Sequence, residues 1–429
     1  MSSKEFKEDH RSGKKFFKRD RVLTFYRLTL LILQKSVKST QLILNEFTSL
    51  FDIKPVTNSA FTQAGCHLLH TAFIELNKKA IVDVLYGEEG YKKYKDKYRL
   101  VSIDGSKVIL PYEKDIIREF GAISYTNGKD SEILGSKPQA TASVMYDVLN
   151  NIAIDSISGY SKAYEVDLAE EHLSYAAGSN DLVLLDRNYT SYRFLSYMKM
   201  RGIDFVSRCS RKSFKAAQEM FEGKGKDSQI ETLFPSNSKE AKELGLPAEL
   251  KVRFVRLKLD TGETEILVTS LMDEDLYITQ DFKELYNLRW SIETFYATLK
   301  TRLTLENFTG KSAESVKQDF YAAIYITGLE SILTSGVNKE LEEKICNPDI
   351  KKRAKNRQKV NKAVSFNAIK NNVFDLLYSE TDINTLVDKL EALFRMNPNC
   401  VRKKPKQKRK KVSLTKIINY HKRVKKVCY

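Results

Sequence analysis

Residues Tyr286–Arg302 read YNLRWSIETFYATLKTR, and four polar residues of this stretch stand at spacings of three, four and seven. They are Tyr286, Arg289, Glu293 and Lys300. At about 100° per residue on an α-helix, these four fall within about 60° of arc. The apolar positions fall on the opposite side: Leu285, Leu288, Ile292, Phe295, Leu299 and Leu303. The stretch therefore predicts an amphipathic helix with one polar stripe and a wide buried face.

The chemistry of this polar stripe favours a phosphodiester ligand. One carboxylate, Glu293, is flanked by a guanidinium, an ammonium and a phenol. Such groups suit a phosphodiester whose cleavage needs a metal held by the carboxylate. The stripe is about 21 Å long, or about six base pairs of duplex DNA. A solvated helix face is the alternative, but such faces usually carry i,i+4 ion pairs and no aromatic hydroxyl in the row.

Two aspartates, Asp104 and Asp186, each follow a run of apolar residues that predicts a β-strand. In α/β sheets, functional carboxylates stand at strand ends, where the chain leaves the sheet. A structural role is the alternative, since Asp-Gly is a common turn and Asp-Arg can begin a helix. Four further aspartates look similar in the sequence: Asp147, Asp155, Asp167 and Asp181. The order of two strand-end aspartates and a helical glutamate selects Asp104, Asp186 and Glu293 as candidate catalytic residues.

The spacing Tyr-x2-Arg-x3-Glu-x6-Lys, together with the Asp-Gly-Ser and Asp-Arg-Asn-Tyr surroundings of the two aspartates, resembles the DDE transposases of bacterial insertion sequences in family four. That group is named for its Tyr-Arg-Glu-Lys signature. The resemblance implies that Asp104, Asp186 and Glu293 form a catalytic acidic triad. It also implies two Mg²⁺ ions as cofactors, for which Mn²⁺ can substitute. In that family's arrangement Asp104 bridges both ions, and Asp186 and Glu293 each hold one.

The resemblance further implies that double-stranded DNA is the partner, both as transposon ends and as target. The chain is expected to bind the inverted-repeat ends of its insertion sequence, then to cleave and transfer strands by a cut-and-paste route. Cutting at paired ends implies a homodimer. The candidate DNA contacts are Tyr286, Arg289, Lys300, Arg187 and Trp290. A transposase-derived DNA-binding protein without cleavage activity is one alternative, and a helical nucleic-acid-binding protein with structural acidic residues is another.

In characterised relatives the cleavage passes through a hairpin end, which requires a base swung out of the stack. Trp290, the only tryptophan, stands beside the polar stripe and is one aromatic candidate for holding that base. Packing against the core is the alternative role for Trp290. Phe221, Phe234 and Phe254 are the other candidates, and nothing in the sequence chooses among them.

The net charge of +17 is concentrated at the two ends of the chain. Residues 402–426 contain 13 Lys/Arg and no Asp/Glu, and residues 1–21 contain 8 Lys/Arg against 4 Asp/Glu. Subtracting 13 and 4 from 17 leaves about zero for residues 22–401. Basic arms of this kind attract a phosphate backbone irrespective of its sequence. Solubilising tails and binding to anionic lipid are the alternatives.

The five cysteines are far apart and show no paired spacing, so neither a zinc site nor a disulfide framework is predicted. A reducing cytosol is the simplest compartment for such a chain. No apolar signal core and no long apolar run are present, so we expect no membrane span. With the resemblance, this predicts a protein of the bacterial cytoplasm, associated with the nucleoid.

The order of predicted strands and helices is that of an α/β fold with a ribonuclease H-like catalytic core. A β-rich insertion, an N-terminal helical domain and a helical, basic C-terminal region complete the prediction. Alternation around Asp260-Thr-Gly262 predicts a β-hairpin in the insertion, with one arm returning to the central sheet. The predicted segments are a disordered basic arm (1–20), a helical DNA-binding domain (21–97), the first part of the core (98–206), the insertion (207–275), the second part of the core (276–335), C-terminal helices (336–401) and a basic tail (402–429).

The predicted helical domain suits a DNA-binding role because it places three short helices before a catalytic core. A helical cap without DNA contacts is the alternative. Ser59-Ala-Phe61 and Ala72-Phe73 continue the family resemblance. Gly65, Cys66 and His67 stand inside the third predicted helical run, where members of the family usually carry an Arg and a Lys.

Overall fold

A computed structural model describes residues 3–19, 21–35, 38–87, 90–126, 133–176, 178, 180–346, 357–378 and 382–401. The chain divides into two compact units. The first, called here the helical unit, comprises Met1–Leu69, Arg302–Thr309 and Leu329–Tyr429. The second, called the sheet unit, comprises His70–Thr301 and Gly310–Gly328.

Four helices begin the helical unit: α1 (Lys4–Asp9), α2 (Phe25–Leu33), α3 (Thr40–Leu50) and α4 (Asn58–Gly65). A Ser or Thr precedes each helix, and its side chain accepts a hydrogen bond from the backbone N–H three residues further on. The prediction of a disordered arm over residues 1–20 is wrong, because α1 is helical and its Phe6 is buried. Gly65 is the last residue of α4, so it does not interrupt a longer helix as the sequence predicted.

The sheet unit begins with α5 (Thr71–Asn77), a π-helical turn (Lys78–Val82) and α6 (Asp83–Gly87). These helices were predicted to belong to the N-terminal domain, but the division between the units lies between Leu69 and His70. The next elements, in chain order, are β1 (Arg99–Ile109), α7 (Lys114–Phe120), β2 (Ala122–Thr126), β3 (Ile133–Asp147), β4 (Ile152–Gly159), α8 (Glu165–Ala176), β5 (Asp181–Leu185), a 3₁₀ turn (Arg187–Tyr189), α9 (Tyr192–Met200) and β6 (Asp204–Arg208).

The predicted insertion contains three further strands and two short helices. In order these are α10 (Lys215–Phe221), β7 (Ser228–Leu233), α11 (Ser238–Glu243), β8 (Leu250–Lys258) and β9 (Thr264–Thr269). Strands β8 and β9 form the predicted hairpin, and β9 pairs with β6 as the expected return to the central sheet. The segment is therefore an extension of the sheet.

Nine strands of the described chain form one mixed sheet, in the order β2-β3-β1-β5-β6-β9-β8-β7, with β4 paired to β3. The pairs β1–β5 and β5–β6 are parallel. The other pairs are antiparallel. All residues of β5 are buried, as expected for a parallel strand covered on both faces. The mixed α/β class is confirmed.

Strand β1 runs through Asp104 instead of ending there. The sequence predicted a strand, a turn and a second strand, but β3 is long enough to pair with β1 from Val101 to Ile109. The parallel pairing with β5 stops earlier, at Ser102 and Leu184. Asp104 and Asp186 each lie two residues beyond that last pair, so both aspartates lie at the same edge, where β1 and β5 separate.

The Glu293 segment and the first part of the following helix, up to Gly328, complete the sheet unit. The segment consists of α12 (Asp281–Asn287), a 3₁₀ turn (Leu288–Trp290) and α13 (Ser291–Thr301), and α14 (Ala313–Cys346) follows. By length and composition alone, residues Ala313–Lys344 could cross a membrane. However, 67% of the most apolar window in this helix is buried inside the protein, which is the pattern of a core helix.

The C-terminal part of the helical unit contains β10 (Gln358–Val360), α15 (Lys362–Leu377), α16 (Ile383–Met396) and β11 (Pro398–Cys400), with β10 antiparallel to β11. Asn361 caps α15, and Lys362 approaches the buried carboxylate of Glu330, which also accepts a hydrogen bond from Ser365. The basic tail (402–429) lies outside the described residues.

Candidate active site

The segment that carries Glu293 differs from the single amphipathic helix that the sequence predicts. Its α-helix is interrupted by the 3₁₀ turn Leu288–Trp290, which winds more tightly than an α-helix and changes the rotation between Tyr286 and Glu293. Tyr286 and Arg289 are buried, at 3% and 4% exposure, whereas the Glu293 side chain is 42% exposed. The four signature residues do not share one solvent-facing stripe.

Two tyrosine hydroxyls fasten this segment to the sheet beside the two aspartates. Tyr286 donates to the carbonyl of Leu185, the residue before Asp186, at 3.1 Å. Tyr296 donates between two carbonyls, at 2.8 Å from that of Asp104 and 3.0 Å from that of Ala142. Sequence analysis missed Tyr296, although a tyrosine on an apolar helix face signals a buried hydroxyl that needs a partner.

Lys300 is a third attachment of the same segment. Its ammonium donates to the Ser106 hydroxyl at 2.8 Å and to the Lys107 carbonyl at 2.6 Å. Both partners lie on β1, just beyond Asp104. The last residue of the signature therefore holds α13 against the strand that carries the first aspartate.

Asp104, Asp186 and Glu293 share one electrostatic neighbourhood around Arg289. Burial raises the pKa of Asp104 to about 6. The Gly105 N–H and the Arg289 guanidinium act to lower this pKa, and the nearby carboxylates of Glu165 and Glu293 act to raise it. Arg289 donates to Glu293 at 2.9 Å. Burial alone would lower the pKa of Arg289. The interactions with Tyr286, Glu293 and Asp186 outweigh burial, so the pKa of Arg289 is raised. Each of the three predicted acidic residues thus lies close enough to Arg289 for their charges to interact.

A further ion pair lies next to Asp186. Arg208 at the end of β6 contacts Glu265 on β9 at 2.9 Å. Burial raises the pKa of Glu265. The positive charges of Arg208 and Arg289 lower this pKa, and the charge of Asp186 raises it further. Sequence analysis did not place Arg208 and Glu265 at the site, because their positions depend on the pairing of β6 with β9.

The chemistry of these residues fits a divalent cation. Carboxylate oxygens are the ligands that hard cations such as Mg²⁺ prefer. The hydroxyl of Tyr189 is buried, has no hydrogen-bond partner among the described residues, and lies near Asp104, Glu165 and Asp186. Within the segments that the structure describes, no three or more His, Cys, Asp or Glu side chains already form a cluster that could hold an ion. Glu293 is hydrogen-bonded to Arg289, so the carboxylates of Asp104, Asp186 and Glu293 are not already arranged as a set of metal ligands.

The aspartates that looked similar in the sequence have structural partners. Asp147 accepts hydrogen bonds from Tyr86 and from the backbone of the turn that follows β3. Asp155 contacts the buried His172 at 2.7 Å, and Asp181 forms a two-point ion pair with Arg99. Asp186 differs from these three aspartates because it has no hydrogen bond to another described side chain.

The sequence model of the transposase DDE domain family matches residues 95–327, more than half of the 429 residues. The chain belongs to the DDE transposase domain family. No curated protein matches the sequence. Among solved structures, the cryo-EM structure of the piggyBac transposase synaptic complex with hairpin DNA is similar at a TM-score of 0.39 and 11% identity. The alignment covers 91% of this chain and 81% of that chain.

The family match includes every candidate site residue and most of the sheet unit. Proteins with this domain generally use divalent metal ions, in agreement with the donor set at the edge of β1 and β5. The match does not assign roles to individual residues. Asp104, Asp186 and Glu293 all lie within the matched residues, and their catalytic role remains a prediction.

The other predicted DNA contacts differ in accessibility. Arg187 is exposed at the start of the 3₁₀ turn after Asp186. Trp290 is 39% exposed, and the guanidinium of Arg289 lies 4.8 Å from its ring centroid. Among the phenylalanines, Phe254 is fully buried in the sheet and cannot hold a base, whereas Phe234 is 66% exposed.

Replacing Tyr296 by phenylalanine should lower the free energy of unfolding by about 1–2 kcal/mol, because a buried hydroxyl and its hydrogen bonds to β1 and β3 are removed. Tyr286→Phe should have an effect of similar size. Urea unfolding measures the change. Tyr112→Phe is the control, since Tyr112 is 67% exposed. Equal midpoints for all three variants would show that the two hydroxyls do not fasten the segment.

The raised pKa of Asp104 predicts a pH-dependent effect of Asp104→Asn in metal-free protein. The folded-state pKa of about 6 lies above the ordinary value, so stability falls as the pH rises between these two values. The amide side chain of the variant stays neutral and avoids this decrease. The variant should equal the wild type near pH 4 and exceed it by roughly 2–3 kcal/mol above pH 7.

Urea unfolding in the presence of EDTA at several pH values measures this difference. Asp167→Asn is the matched control, because Asp167 is an exposed aspartate of α8 in the same unit. A difference between wild type and Asp104→Asn that does not change with pH would contradict the assignment of the raised pKa to this carboxylate.

Proposed function

We propose that this protein is a transposase of a bacterial insertion sequence of family four. In this proposal it binds the inverted-repeat ends of its element, cleaves the DNA strands and transfers them to a target by a cut-and-paste route. The observation that carries the proposal is that Asp104, Asp186 and Glu293 all lie close enough to the buried Arg289 for their charges to interact with it, beside the edge where β1 and β5 separate. The Tyr-Arg-Glu-Lys spacing supports the assignment to family four.

The strand order supports a ribonuclease H-like core for the sheet unit. Strands β1, β3 and β4 are antiparallel neighbours, and β5 and β6 extend the sheet in parallel from β1. Helix α8 lies between β4 and β5, as a crossover that returns the chain to the far side of β1. In this core β7, β8 and β9 are the insertion, and α13 brings the glutamate back to the edge formed by β1 and β5.

In the proposed mechanism Asp104, Asp186 and Glu293 would hold two Mg²⁺ ions, with Mn²⁺ able to substitute. When bound, two such ions activate the attacking oxygen and stabilise charge on the leaving oxygen of a phosphodiester. The protein's own residues orient the substrate. Arg289 is held beneath Glu293 and keeps a positive charge at the site, where it would attract a phosphate oxygen.

The predicted DNA contacts are not equivalent in this proposal. Arg187 and Trp290 are accessible and can approach a DNA backbone or base directly. The Tyr286 hydroxyl and the Lys300 ammonium already bind backbone carbonyls of the sheet. They would support the site by fixing the glutamate segment, and any phosphate contact by Lys300 would be additional to its contact with β1.

The remaining elements of the proposal follow from the reaction. Cleavage at paired ends requires two active sites, so we propose a homodimer on DNA. We also propose a bacterial cytoplasmic location, associated with the nucleoid. If a hairpin forms at the cleaved end, the 66% exposed Phe234 and the 39% exposed Trp290 are the aromatic side chains open to an extruded base.

Neutral isosteres of the three acidic residues should abolish cleavage without abolishing DNA binding. We expect Asp104→Asn, Asp186→Asn and Glu293→Gln each to reduce Mg²⁺-dependent cleavage by about 100-fold or more, because a cation ligand is removed. The substrate is a duplex carrying the inverted repeats that flank the gene, and a mobility-shift assay measures binding. Asp167→Asn should cleave normally. Wild-type cleavage rates in any of the three variants would refute the triad.

Removal of the basic tail after Val401 should weaken the salt dependence of DNA binding. The tail carries 13 Lys/Arg between residues 402 and 426. For each phosphate that the tail neutralises, its removal should reduce the slope of log affinity against log salt by roughly one. Binding of a DNA duplex at several salt concentrations measures the slope. The same slope in the full and shortened chains would mean that the tail does not bind DNA.

A further inference from the structure

A fourth carboxylate, that of Glu165, lies beside Asp104. Glu165 is the first residue of α8, the helix that follows β4. A Cβ atom built on Gly105 would lie 2.9 Å from Oε1 of Glu165 and 3.0 Å from its carboxyl carbon. A Cβ atom at 2.9 Å from Oε1 would require the Glu165 side chain to move. The carboxyl group of Glu165 therefore occupies the space that any other residue at position 105 would fill.

This contact uses the space beside the glycine that follows Asp104. Gly105 lies within β1, and its φ is not among the positive values found in the described chain. The backbone conformation does not require glycine here. A side chain at position 105 would instead displace the carboxyl group of Glu165, which packs against the backbone next to Asp104.

Glu165 also differs from two other acidic residues of its helix, Asp167 and Glu170. Asp167 and Glu170 lie within ion-pair distance of Arg193. The side chain of Glu165 forms no ion pair or hydrogen bond with any residue that the structure describes. An unpaired carboxylate placed against another carboxylate is electrostatically unfavourable unless a cation binds both.

The buried hydroxyl of Tyr189 provides an independent indication that a ligand binds here. Tyr189 is 1% exposed, and its hydroxyl has no partner among the described residues. Burying a hydroxyl without a partner is energetically unfavourable, so such groups are rare outside functional sites. The charges that act on this hydroxyl are those of Asp104, Glu165 and Asp186, so it lies among the acidic groups of the site.

We propose that Glu165 is a fourth carboxylate of the centre formed by Asp104, Asp186 and Glu293, and that it helps to bind the divalent cation beside Asp104. This proposal rests on the proposed function, because it places Glu165 at the same cation site. Tyr189 supplies a hydrogen-bond donor to an oxygen atom bound in that site. Gly105 leaves the space that the Glu165 carboxylate needs.

The test measures Mn²⁺ binding to the full chain without DNA, with free Mn²⁺ counted by electron paramagnetic resonance. Glu165→Gln should weaken binding by about 10-fold, the size of effect typical of groups that support a metal site. Glu171→Gln is the matched control, because Glu171 is an exposed glutamate of the same helix and the variant changes the charge equally. The control should bind Mn²⁺ as the wild type does.

Gly105→Ala provides a second, independent variant. Its methyl group would displace the Glu165 carboxyl, so Mn²⁺ affinity should fall by a factor similar to that of Glu165→Gln. The double variant should bind no more weakly than either single variant, because both changes remove the same interaction. Thermal unfolding of each variant shows that the weaker binding is not caused by unfolding.

Two results would overturn the proposal. If Glu165→Gln binds Mn²⁺ as Glu171→Gln does while Asp104→Asn abolishes binding, Glu165 is not part of the cation site, and the proposed function stands. If Gly105→Ala and Glu165→Gln weaken binding additively, the two residues act separately and the argument from their packing fails. A wild-type chain that neither binds Mn²⁺ nor cleaves its DNA would instead refute the proposed function, and this inference with it.

Discussion

The hydrogen bonds of Tyr286 and Tyr296 are the constraint on which the candidate site depends. The two aspartates are placed by strand pairing alone, because β1 and β5 separate just before them. Glu293 is more than 100 residues further along the chain, and strand pairing alone does not place its helix at that edge. The two hydroxyls bind carbonyls at Leu185 and Asp104, so the helix is fixed to the same backbone that carries the aspartates.

Holding carboxylates together without a cation requires compensation, and Arg289 provides it. Its guanidinium is buried and pairs with Glu293, while Asp186 also acts on its charge. The Tyr286 ring lies 5.8 Å from the guanidinium, as measured to the ring centroid. A buried arginine keeps its charge at any physiological pH. The signature therefore combines a carboxylate, its counter-charge and two attachments to β1 and β5.

The sequence was informative where residue type alone determines the structure. The apolar run before Asp186 predicts a buried strand, and alternation around Asp260-Thr-Gly262 predicts a hairpin. Both are present. It was misleading where tertiary contacts reverse the usual preference of a residue. Tyr286 and Arg289 are polar and were placed on a solvent-facing stripe, but they are buried because the sheet offers a carbonyl acceptor and Glu293 offers a carboxylate partner.

Gly105 shows why such a site cannot be completed from sequence. After Asp104 a glycine reads as a turn residue, since turns are where its conformational freedom is most often needed. In the structure Gly105 continues a strand, and the missing side chain is replaced by the carboxyl group of Glu165, 60 residues away in the chain. No local pattern in the sequence links these two positions. Their contact depends on the pairing of β1 with β3 and of β3 with β4, the strand that precedes α8. The contact that Gly105 permits is therefore with a residue that is distant in the sequence.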